Sequence, residues 1–375
     1  MHELVALDLP AGPGFVDALR AAWDAGDAVL PVDPRLPAPA AARLLDTLRP
    51  GRVVSARGVH RRTDGIPTEP GDALVVATSG TTGEPKGVVH THASVEASAR
   101  ATSVGLGVDP ASDRWVACLP LAHIGGLSVI TRSLVTATPC TVLERFDPRA
   151  VEAEADNGAT LVSLVATVLG RMDVTGFRAV LLGGAAPPSE LSANVVTTYG
   201  MTETGSGCVY DGRPLDGVEL RIGDGSIGAE GEILVRGPML LRAYRDGRDP
   251  RIAGGWLPTG DAGRLGDYGT LVVFGRIAEV IVTGAEKVWP AQVEDVLSAH
   301  PGIAEVAVWK RPDPVWGERV VAWVVPTDEA PVPELDELRD LVAAQVARWA
   351  APRQVVVVGS LPRTPGGKVR RAELA

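Results

Sequence analysis

A run of ten residues constrains the fold of this chain more than any other stretch. It reads Thr78-Ser79-Gly80-Thr81-Thr82-Gly83-Glu84-Pro85-Lys86-Gly87 and follows an apolar run, Ala73 to Ala77, that predicts a buried strand. A helix is predicted after it, from about His92 to Val104. Glycines allow the backbone to approach a ligand closely, while backbone N–H groups, hydroxyls and Lys86 can face an anion. The spacing differs from a Walker A motif. We therefore expect a phosphate-binding loop between a strand and a helix.

Composition restricts the class of protein. The chain has 375 residues, 45% hydrophobic and 22% charged, which is enough to bury a core and is not typical of disorder. The net charge of −10 argues against nucleic acid as a partner. Cys118, Cys140 and Cys208 are too sparse for a disulfide framework or a zinc site. We expect a cytoplasmic protein without a signal peptide or a membrane span, and a homodimer is compatible with the sequence.

The order of predicted elements indicates an α/β protein with two domains. Short apolar runs alternate with helix-compatible stretches through the first half of the chain, which predicts a large N-terminal domain of mixed sheets covered by helices. From about Gly217, short strands separated by glycine-rich turns predict a small β-rich subdomain. We place a boundary after residue 275, so that residues 1–275 form the large domain and residues 276–375 a smaller α+β C-terminal domain.

Three further stretches carry groups suited to a nucleotide. Tyr199-Gly200-Met201-Thr202-Glu203 places a hydroxyl beside a carboxylate, a pairing that can contact phosphate and hold Mg²⁺. The small residues Gly183, Gly184 and Ala185 leave room for a flat ring. Asp261, in a predicted glycine-rich turn, offers a carboxylate that can accept hydrogen bonds from two ribose hydroxyls.

Together, these motifs resemble those of the acyl- and aryl-CoA synthetases of the adenylate-forming superfamily. Besides the stretches above, the resemblance includes Gly275-Arg276, the segment Leu119 to Gly126 around His123, and the C-terminal segment Pro362 to Lys368. It covers nearly the whole chain from Asp72 to Leu374. It implies ATP, Mg²⁺, CoA and a small carboxylic acid as ligands, and a C-terminal domain that moves.

The resemblance also assigns roles to residues. It implies that Thr202 contacts the α-phosphate, that Glu203 holds Mg²⁺ and that Lys368 is the adenylation lysine. Arg276 is expected to reach the ribose or phosphate, and His123 to gate or line the acyl and pantetheine channel. The remaining ATP-binding positions implied are Thr78, Ser79, Gly80, Thr81, Thr82, Gly83, Lys86, Gly183, Gly184, Ala185, Tyr199, Gly200 and Asp261.

Within the superfamily, the run from Tyr199 to Gly212 and the segment Thr160 to Leu169 are similar to the actinobacterial o-succinylbenzoate–CoA ligases of menaquinone biosynthesis. The implied reaction forms an acyl-adenylate and pyrophosphate from ATP, and CoA then displaces AMP. Small Ser206 and Gly207 are expected to open the acid pocket, and the region of Thr283 to Ala285 to enter the active site for the second step.

The sequence shows two departures from the family pattern, and three alternative functions stay open. Ala278 stands where the family carries an Asp or Lys hinge, and only about 70 residues precede the phosphate loop, so a reduced N-terminal subdomain is expected. The alternatives are another aryl- or fatty-acyl-CoA ligase, an adenylation domain that loads a carrier protein, and a non-catalytic nucleotide- or acyl-binding protein. Lys86, Glu203, Asp261 and Lys368 argue against the last of these.

Overall fold

The computed structural model describes residues 2–79, 84–185, 187–188, 190–223, 229–327, 330–331, 333–363 and 369–374. The chain divides into two compact units. The first comprises Met1–Pro187, Leu191–Leu220 and Val235–Leu257, and the second comprises Pro188–Glu190, Arg221–Leu234 and Pro258–Ala375. The predicted boundary after residue 275 stays a prediction.

The first sheet of the first unit is mixed. Its strands, numbered along the chain, are β1 (Leu4–Asp8), β2 (Ala28–Pro31), β3 (Arg52–Ser55), β4 (Gly58–Arg61), β5 (Asp72–Ser79), β6 (Pro85–Thr91) and β16 (Ala243–Tyr244). They lie in the order β16-β6-β5-β2-β1-β3-β4. The inner strands β1, β2, β3 and β5 run parallel, whereas β5 and β6 form an antiparallel hairpin. β16 therefore lies beside the phosphate hairpin although it is about 150 residues further along the chain.

The second sheet of the first unit is also mixed. Its strands are β7 (Trp115–Ala117), β8 (Cys140–Val142), β9 (Leu161–Val165), β10 (Ala179–Gly183), β11 (Val195–Met201), β12 (Ser206–Tyr210) and β13 (Arg213–Pro214), in the order β13-β12-β11-β10-β9-β7-β8. The β8-to-β11 part is parallel, and β11 turns back antiparallel into β12. A buried apolar cluster that includes Val116, Val162 and Val180 forms the core on one face.

Helices cover both sheets. They are α1 (Pro13–Asp24), α2 (Ala38–Leu48), α3 (His92–Gly105), α4 (Ile124–Thr136), α5 (Pro148–Asp156) and the short α6 (Ala166–Leu169). Capping side chains fix where two of these helices begin. The Thr91 and Ser94 side chains form a reciprocal cap at the start of α3, and the Asp147 side chain caps the start of α5. Leu44 and Leu48 of α2 pack into the core of the first sheet. The mixed, helix-covered sheets predicted from the sequence are confirmed.

Two further sheets lie largely or wholly in the second unit. The strands of the third are β14 (Glu219–Ile222), β15 (Gly231–Arg236), β17 (Leu257–Leu265) and β18 (Leu271–Arg276), in the order β14-β15-β17-β18. The fourth contains β19 (Ile281–Thr283), β20 (Glu286–Val288), β21 (Ile303–Asp313), β22 (Gly317–Pro326) and β23 (Gln354–Val357), with helices α7 (Pro290–Ser298) and α8 (Leu335–Gln345). The alternation of β22 explains its two buried faces, because Val320, Ala322 and Val324 face one cluster while Val321 and Trp323 face another.

Three local predictions were wrong, each because a strand is longer than its apolar run. The phosphate loop is followed by β6 and only then by the helix, so it joins two antiparallel strands. Tyr199 and Gly200 belong to β11, and the turn is reduced to the 3₁₀ segment Thr202–Thr204 and Gly205. Asp261 lies within β17 opposite Arg276 of β18, not in a turn. Cross-strand pairing, which a local pattern does not reveal, extends all three strands.

Candidate active site

The phosphate hairpin positions Lys86 near the start of β6, where it pairs with Thr78 of β5. Gly87 follows it for a packing reason: a Cβ there would come within 2.8 Å of a Val75 methyl carbon and 2.9 Å of the Arg245 Cβ. The predicted site residues Gly80, Thr81, Thr82 and Gly83, and the side chain of Ser79, lie outside the part of the chain that the structure describes.

His90 connects the phosphate hairpin to the turn that carries Thr202. Its Nε2 donates a hydrogen bond to the Thr202 carbonyl oxygen at 2.7 Å, and its Nδ1 lies 3.3 Å from the Ser94 hydroxyl. The side chain has 0% exposure, and this burial lowers the pKa of His90 to about 4. The imidazole is therefore neutral at physiological pH and acts as a fixed, uncharged connection between the two motifs.

Glu203 is held by a second group, Tyr244 of β16. The Tyr244 hydroxyl donates to Glu203 Oε1 at 2.9 Å. Burial, together with the Glu203 carboxylate, raises the pKa of Tyr244, so this hydroxyl remains a donor. The Lys86 Nζ lies 5.8 Å and the Arg248 Cζ 4.7 Å from the centre of the Tyr244 ring. The structure thus brings the predicted residues Lys86, Thr202 and Glu203 together in one unit.

At Gly183 and Gly200 in the second sheet, neighbouring atoms lie too close to the backbone for a larger residue. A Cβ on Gly183 would lie 2.5 Å from the Thr198 Oγ1, and one on Gly200 would lie 2.2 Å from the Ser206 carbonyl oxygen. Gly184 adopts a φ of +84°, which favours glycine. Ala185 follows directly. Gly183 and Gly184 are therefore fixed by packing and by backbone conformation, and their small size leaves the end of β10 without side chains.

In the second unit, two predicted residues form an ion pair. Asp261 and Arg276 are in register on β17 and β18, and Arg276 Nε lies 2.9 Å from Asp261 Oδ1. Asp261 is only 7% exposed, whereas the Arg276 side chain is half exposed and also donates to the Thr259 carbonyl oxygen. The Gly260 N–H donates to Glu232, which fixes the backbone before Asp261. The pair combines a buried carboxylate with a guanidinium that solvent can reach.

Lys368 and His123 are the two remaining residues that were predicted to be catalytic. Lys368 lies outside the described residues, but the chain on either side of it is anchored: Arg363 pairs with Val369, and the Arg370 N–H donates to the Pro362 carbonyl oxygen. His123 is exposed and occupies the N-cap position of α4.

Arg132 on α4 is a candidate site residue that the sequence analysis missed, as are His90 and Tyr244. It is 2% exposed, its Nη2 donates to the Ser206 hydroxyl at 2.8 Å, and it stacks on the Trp115 ring. Its Nε and Nη1 have no hydrogen-bond partner among the described residues. Burial lowers the pKa of Arg132, yet a guanidinium remains charged in proteins. A buried cation with two unused donors is suited to an anionic ligand group.

The chemistry of the first unit defines a class of protein. A lysine on a hairpin, a partly buried, hydrogen-bonded threonine–glutamate turn and small residues at the end of a neighbouring parallel strand are suited to a nucleotide phosphate and a hard cation. This arrangement, on mixed sheets covered by helices, is that of a nucleotide-dependent α/β enzyme.

The chain belongs to the AMP-binding enzyme family. The family model described as AMP-binding enzyme matches residues 56–245, and the model described as AMP-binding enzyme C-terminal domain matches residues 292–368. A probable 2-succinylbenzoate–CoA ligase of Mycobacterium tuberculosis is 41% identical over 328 residues, which are 80% of this chain and 83% of the relative. A 2-succinylbenzoate–CoA ligase of Bacillus cytotoxicus is 35% identical over 80% of this chain and 69% of its own length.

Solved structures of enzymes with related names have the same fold as this chain. The o-succinylbenzoate CoA synthetase of Bacillus subtilis in complex with the acyl-adenylate intermediate has a TM-score of 0.87 and 28% identity, covering 99% of this chain and 88% of that one. The same synthetase with ATP and a magnesium ion has a TM-score of 0.85 at 28% identity, covering 99% and 89%. The predicted superfamily is confirmed, as is its fold.

Proposed function

We propose that this chain is an ATP-dependent acid–CoA ligase that activates 2-succinylbenzoate as an acyl-adenylate and transfers the acyl group to CoA, a step of menaquinone biosynthesis. The observation that carries the proposal is the 41% identity to a probable 2-succinylbenzoate–CoA ligase over most of both chains. In the first half-reaction a carboxylate oxygen attacks the α-phosphorus of ATP and pyrophosphate leaves. In the second, the thiolate of CoA attacks the acyl carbonyl carbon and AMP leaves.

The residues of the first unit fit ATP and Mg²⁺. Glu203 offers a carboxylate oriented by a hydroxyl, and Mg²⁺ in nucleotide sites is held by one or two carboxylates plus substrate phosphates. When bound, Mg²⁺ neutralises charge on the phosphates. Lys86 supplies a second positive group. Thr202, whose carbonyl oxygen is held by His90, is the residue that we propose contacts the α-phosphate. Thr78 to Gly83, Gly183 to Ala185, and Tyr199 with Gly200 complete the proposed ATP contacts.

The second unit supplies the remaining groups. We propose that Asp261 accepts hydrogen bonds from ribose hydroxyls and that Arg276, its ion-pair partner, binds ribose or phosphate. Lys368 stabilises the charge that develops as the carboxylate approaches the α-phosphorus. His123 lines the acyl and pantetheine channel. The Thr283 to Ala285 region, at the β19–β20 turn, serves the thioester step.

Arg132 supports a substrate with two carboxylates. One carboxylate of 2-succinylbenzoate is activated, so the other must be bound without reacting. The Nε and Nη1 of the buried Arg132 have no hydrogen-bond partner among the described residues, and N–H groups of a cation form strong hydrogen bonds with a carboxylate. Ser206, which Arg132 contacts, lies in the run from Tyr199 to Gly212 that is similar to the o-succinylbenzoate–CoA ligases. A fatty acid offers no second anion for this guanidinium, which favours the dicarboxylate among the possible acids.

A panel of acids tests the assignment. Pyrophosphate release is measured with ATP and Mg²⁺ for 2-succinylbenzoate, benzoate and a medium-chain fatty acid, each with and without CoA. The highest kcat/KM is expected for 2-succinylbenzoate, with CoA required for repeated turnover. A higher kcat/KM for a fatty acid would assign another acyl-CoA ligase. AMP release that depends on CoA would exclude a carrier-loading adenylation domain, and the absence of pyrophosphate release with every acid would favour a non-catalytic binding protein.

The enzyme is proposed to act in the cytoplasm, where ATP and CoA are available. Cys118, Cys140 and Cys208 are free thiols, which is usual in a reducing compartment. Burial raises the pKa of each to about 12 and so suppresses their reactivity. Among the described helices, none combines the length and apolar character needed to cross a bilayer. A homodimer stays a prediction that light scattering can test.

A further inference from the structure

The segment from Leu241 to Arg245 ties two motifs together. On one side the Leu241 N–H donates to the Glu203 carbonyl oxygen at 2.8 Å. On the other side the segment pairs with β6, with the Arg242 N–H bonded to the Val89 carbonyl oxygen and the Arg245 N–H to the Gly87 carbonyl oxygen. The backbone of Glu203 and the strand that carries Lys86 are therefore held by the same five residues.

Tyr244 adds a side-chain connection to this backbone bridge. Tyr244 is opposite Val88 in β6, and its half-buried ring interacts with two cations, Lys86 and Arg248. Contacts on the ring restrict its torsion angles, and so restrict the direction in which the hydroxyl points. That hydroxyl donates to Glu203 Oε1 at 2.9 Å.

Whether the hydrogen-bond partner of Glu203 is neutral or charged affects how well this carboxylate can bind a metal ion. A cation on Glu203 Oε1 would compete with a divalent ion for the negative charge of the carboxylate. A neutral hydroxyl fixes the orientation of the carboxylate and leaves its charge available, and a carboxylate has about four acceptor positions of which Tyr244 takes one. Outer-shell donors of this kind alter metal affinity when they are removed.

We propose that Tyr244 is a positioning residue for the divalent cation: its hydroxyl holds the Glu203 carboxylate in the orientation that binds Mg²⁺ together with ATP. This role rests on the proposed function, in which Glu203 is the metal ligand. In this role the Tyr244 hydroxyl acts through the Glu203 carboxylate and is not itself a metal ligand.

Tyr244→Phe removes the hydroxyl and keeps the ring. The probe is Mn²⁺, whose binding to the protein in the presence of ATP is followed by electron paramagnetic resonance. Metal affinity is expected to fall about 10- to 100-fold. ATP binding in EDTA, measured by calorimetry, should stay within twofold of wild type, which shows that the site is folded. In steady state the Mg²⁺ concentration for half-maximal rate should rise, and excess Mg²⁺ should restore kcat.

Tyr210→Phe is the matched control. The Tyr210 hydroxyl is also hydrogen-bonded, to Thr102 Oγ1 at 3.0 Å, and lies in the same unit without contacting Glu203. Its loss is expected to leave metal affinity unchanged. The inference is overturned if Tyr244→Phe binds Mn²⁺ as wild type does, or if Tyr210→Phe weakens it equally. If wild-type protein binds no Mn²⁺ with ATP, the proposed function itself fails.

Discussion

The carbonyl oxygen of Thr202 accepts a hydrogen bond from the fully buried His90 at 2.7 Å, across 112 positions of sequence. This bond fixes the turn that carries Thr202 and Glu203 against the strand that carries Lys86. Because the imidazole is neutral, the bond orients the turn without adding charge to a site that must select anions and a cation.

Removing this donor should loosen the turn. In His90→Leu the carbonyl oxygen of the partly buried Thr202 loses its donor, which costs about 1–3 kcal/mol of unfolding free energy. We expect a lower urea midpoint and weaker ATP binding. His90→Gln can still donate a hydrogen bond, so its urea midpoint and its ATP affinity are expected to lie between those of His90→Leu and wild type. Equal ATP affinity in His90→Leu and wild type would show that the bond does not position the turn.

Stability should fall in mild acid because His90 resists protonation. Its pKa is about 4 in the folded protein and about 6.5 when unfolded, so between these values the unfolded state binds more protons. The unfolding free energy therefore rises by about 3 kcal/mol between pH 4 and 6.5 because of this group. Above pH 6.5 the contribution of His90 is constant. Urea titrations at several pH values measure it. His90→Gln should lack this component, and an unchanged pH slope in that variant would contradict the assignment.

How far the sequence predicts this fold depends on how local each feature is. The helix from His92 to Gly105 follows from its local sequence and was predicted to within one residue of its end. The strand after the phosphate loop was not, because its neighbour β16 is distant in sequence. Tyr244 and Arg132 were missed for the same reason: nothing near them in sequence indicates that they meet Glu203 and Ser206.

The β19–β20 turn contains a strained residue. Ala285 has a φ of +71°, a conformation that costs an L-residue about 1–2 kcal/mol. Ala285→Gly should raise the unfolding free energy of the second unit by about 0.5–1 kcal/mol after the entropy of glycine is subtracted. The neighbouring Gly284→Ala should destabilise, because its Cβ would lie 2.5 Å from the Trp316 ring. Thermal denaturation measures both, and destabilisation by Ala285→Gly would refute the strain.

Arg132 can be tested through substrate choice. Arg132→Met keeps much of the volume and removes the charge, so kcat/KM for 2-succinylbenzoate should fall about 10- to 100-fold, as expected for a lost charged hydrogen bond of about 1.5–3 kcal/mol. Activity with benzoate, which has no second carboxylate, should change little. A parallel loss for both acids would mean that Arg132 supports the fold and not the recognition of an anion.

The two half-reactions should separate by mutation. Lys368→Ala is expected to abolish adenylation, since such a donor contributes about 3–4 kcal/mol to the barrier, but to spare thioester formation from pre-made acyl-adenylate. Ala278 lies in the 3₁₀ segment Ile277–Glu279 near the proposed pivot. Ala278→Pro, which fixes φ, should slow thioester formation and spare adenylation. Single-turnover assays decide between this pattern and equal loss of both steps in Lys368→Ala.

The central claim is that this chain joins an acid to CoA through an acyl-adenylate, and product analysis of one turnover tests it most directly. Enzyme, Mg²⁺ and ATP labelled at the α-phosphate are mixed with 2-succinylbenzoate and quenched, with CoA added to half of the sample. The account predicts labelled acyl-adenylate and pyrophosphate without CoA, and labelled AMP with a CoA thioester once CoA is present. ADP and phosphate as products, or cleavage of ATP without an acid, would contradict it.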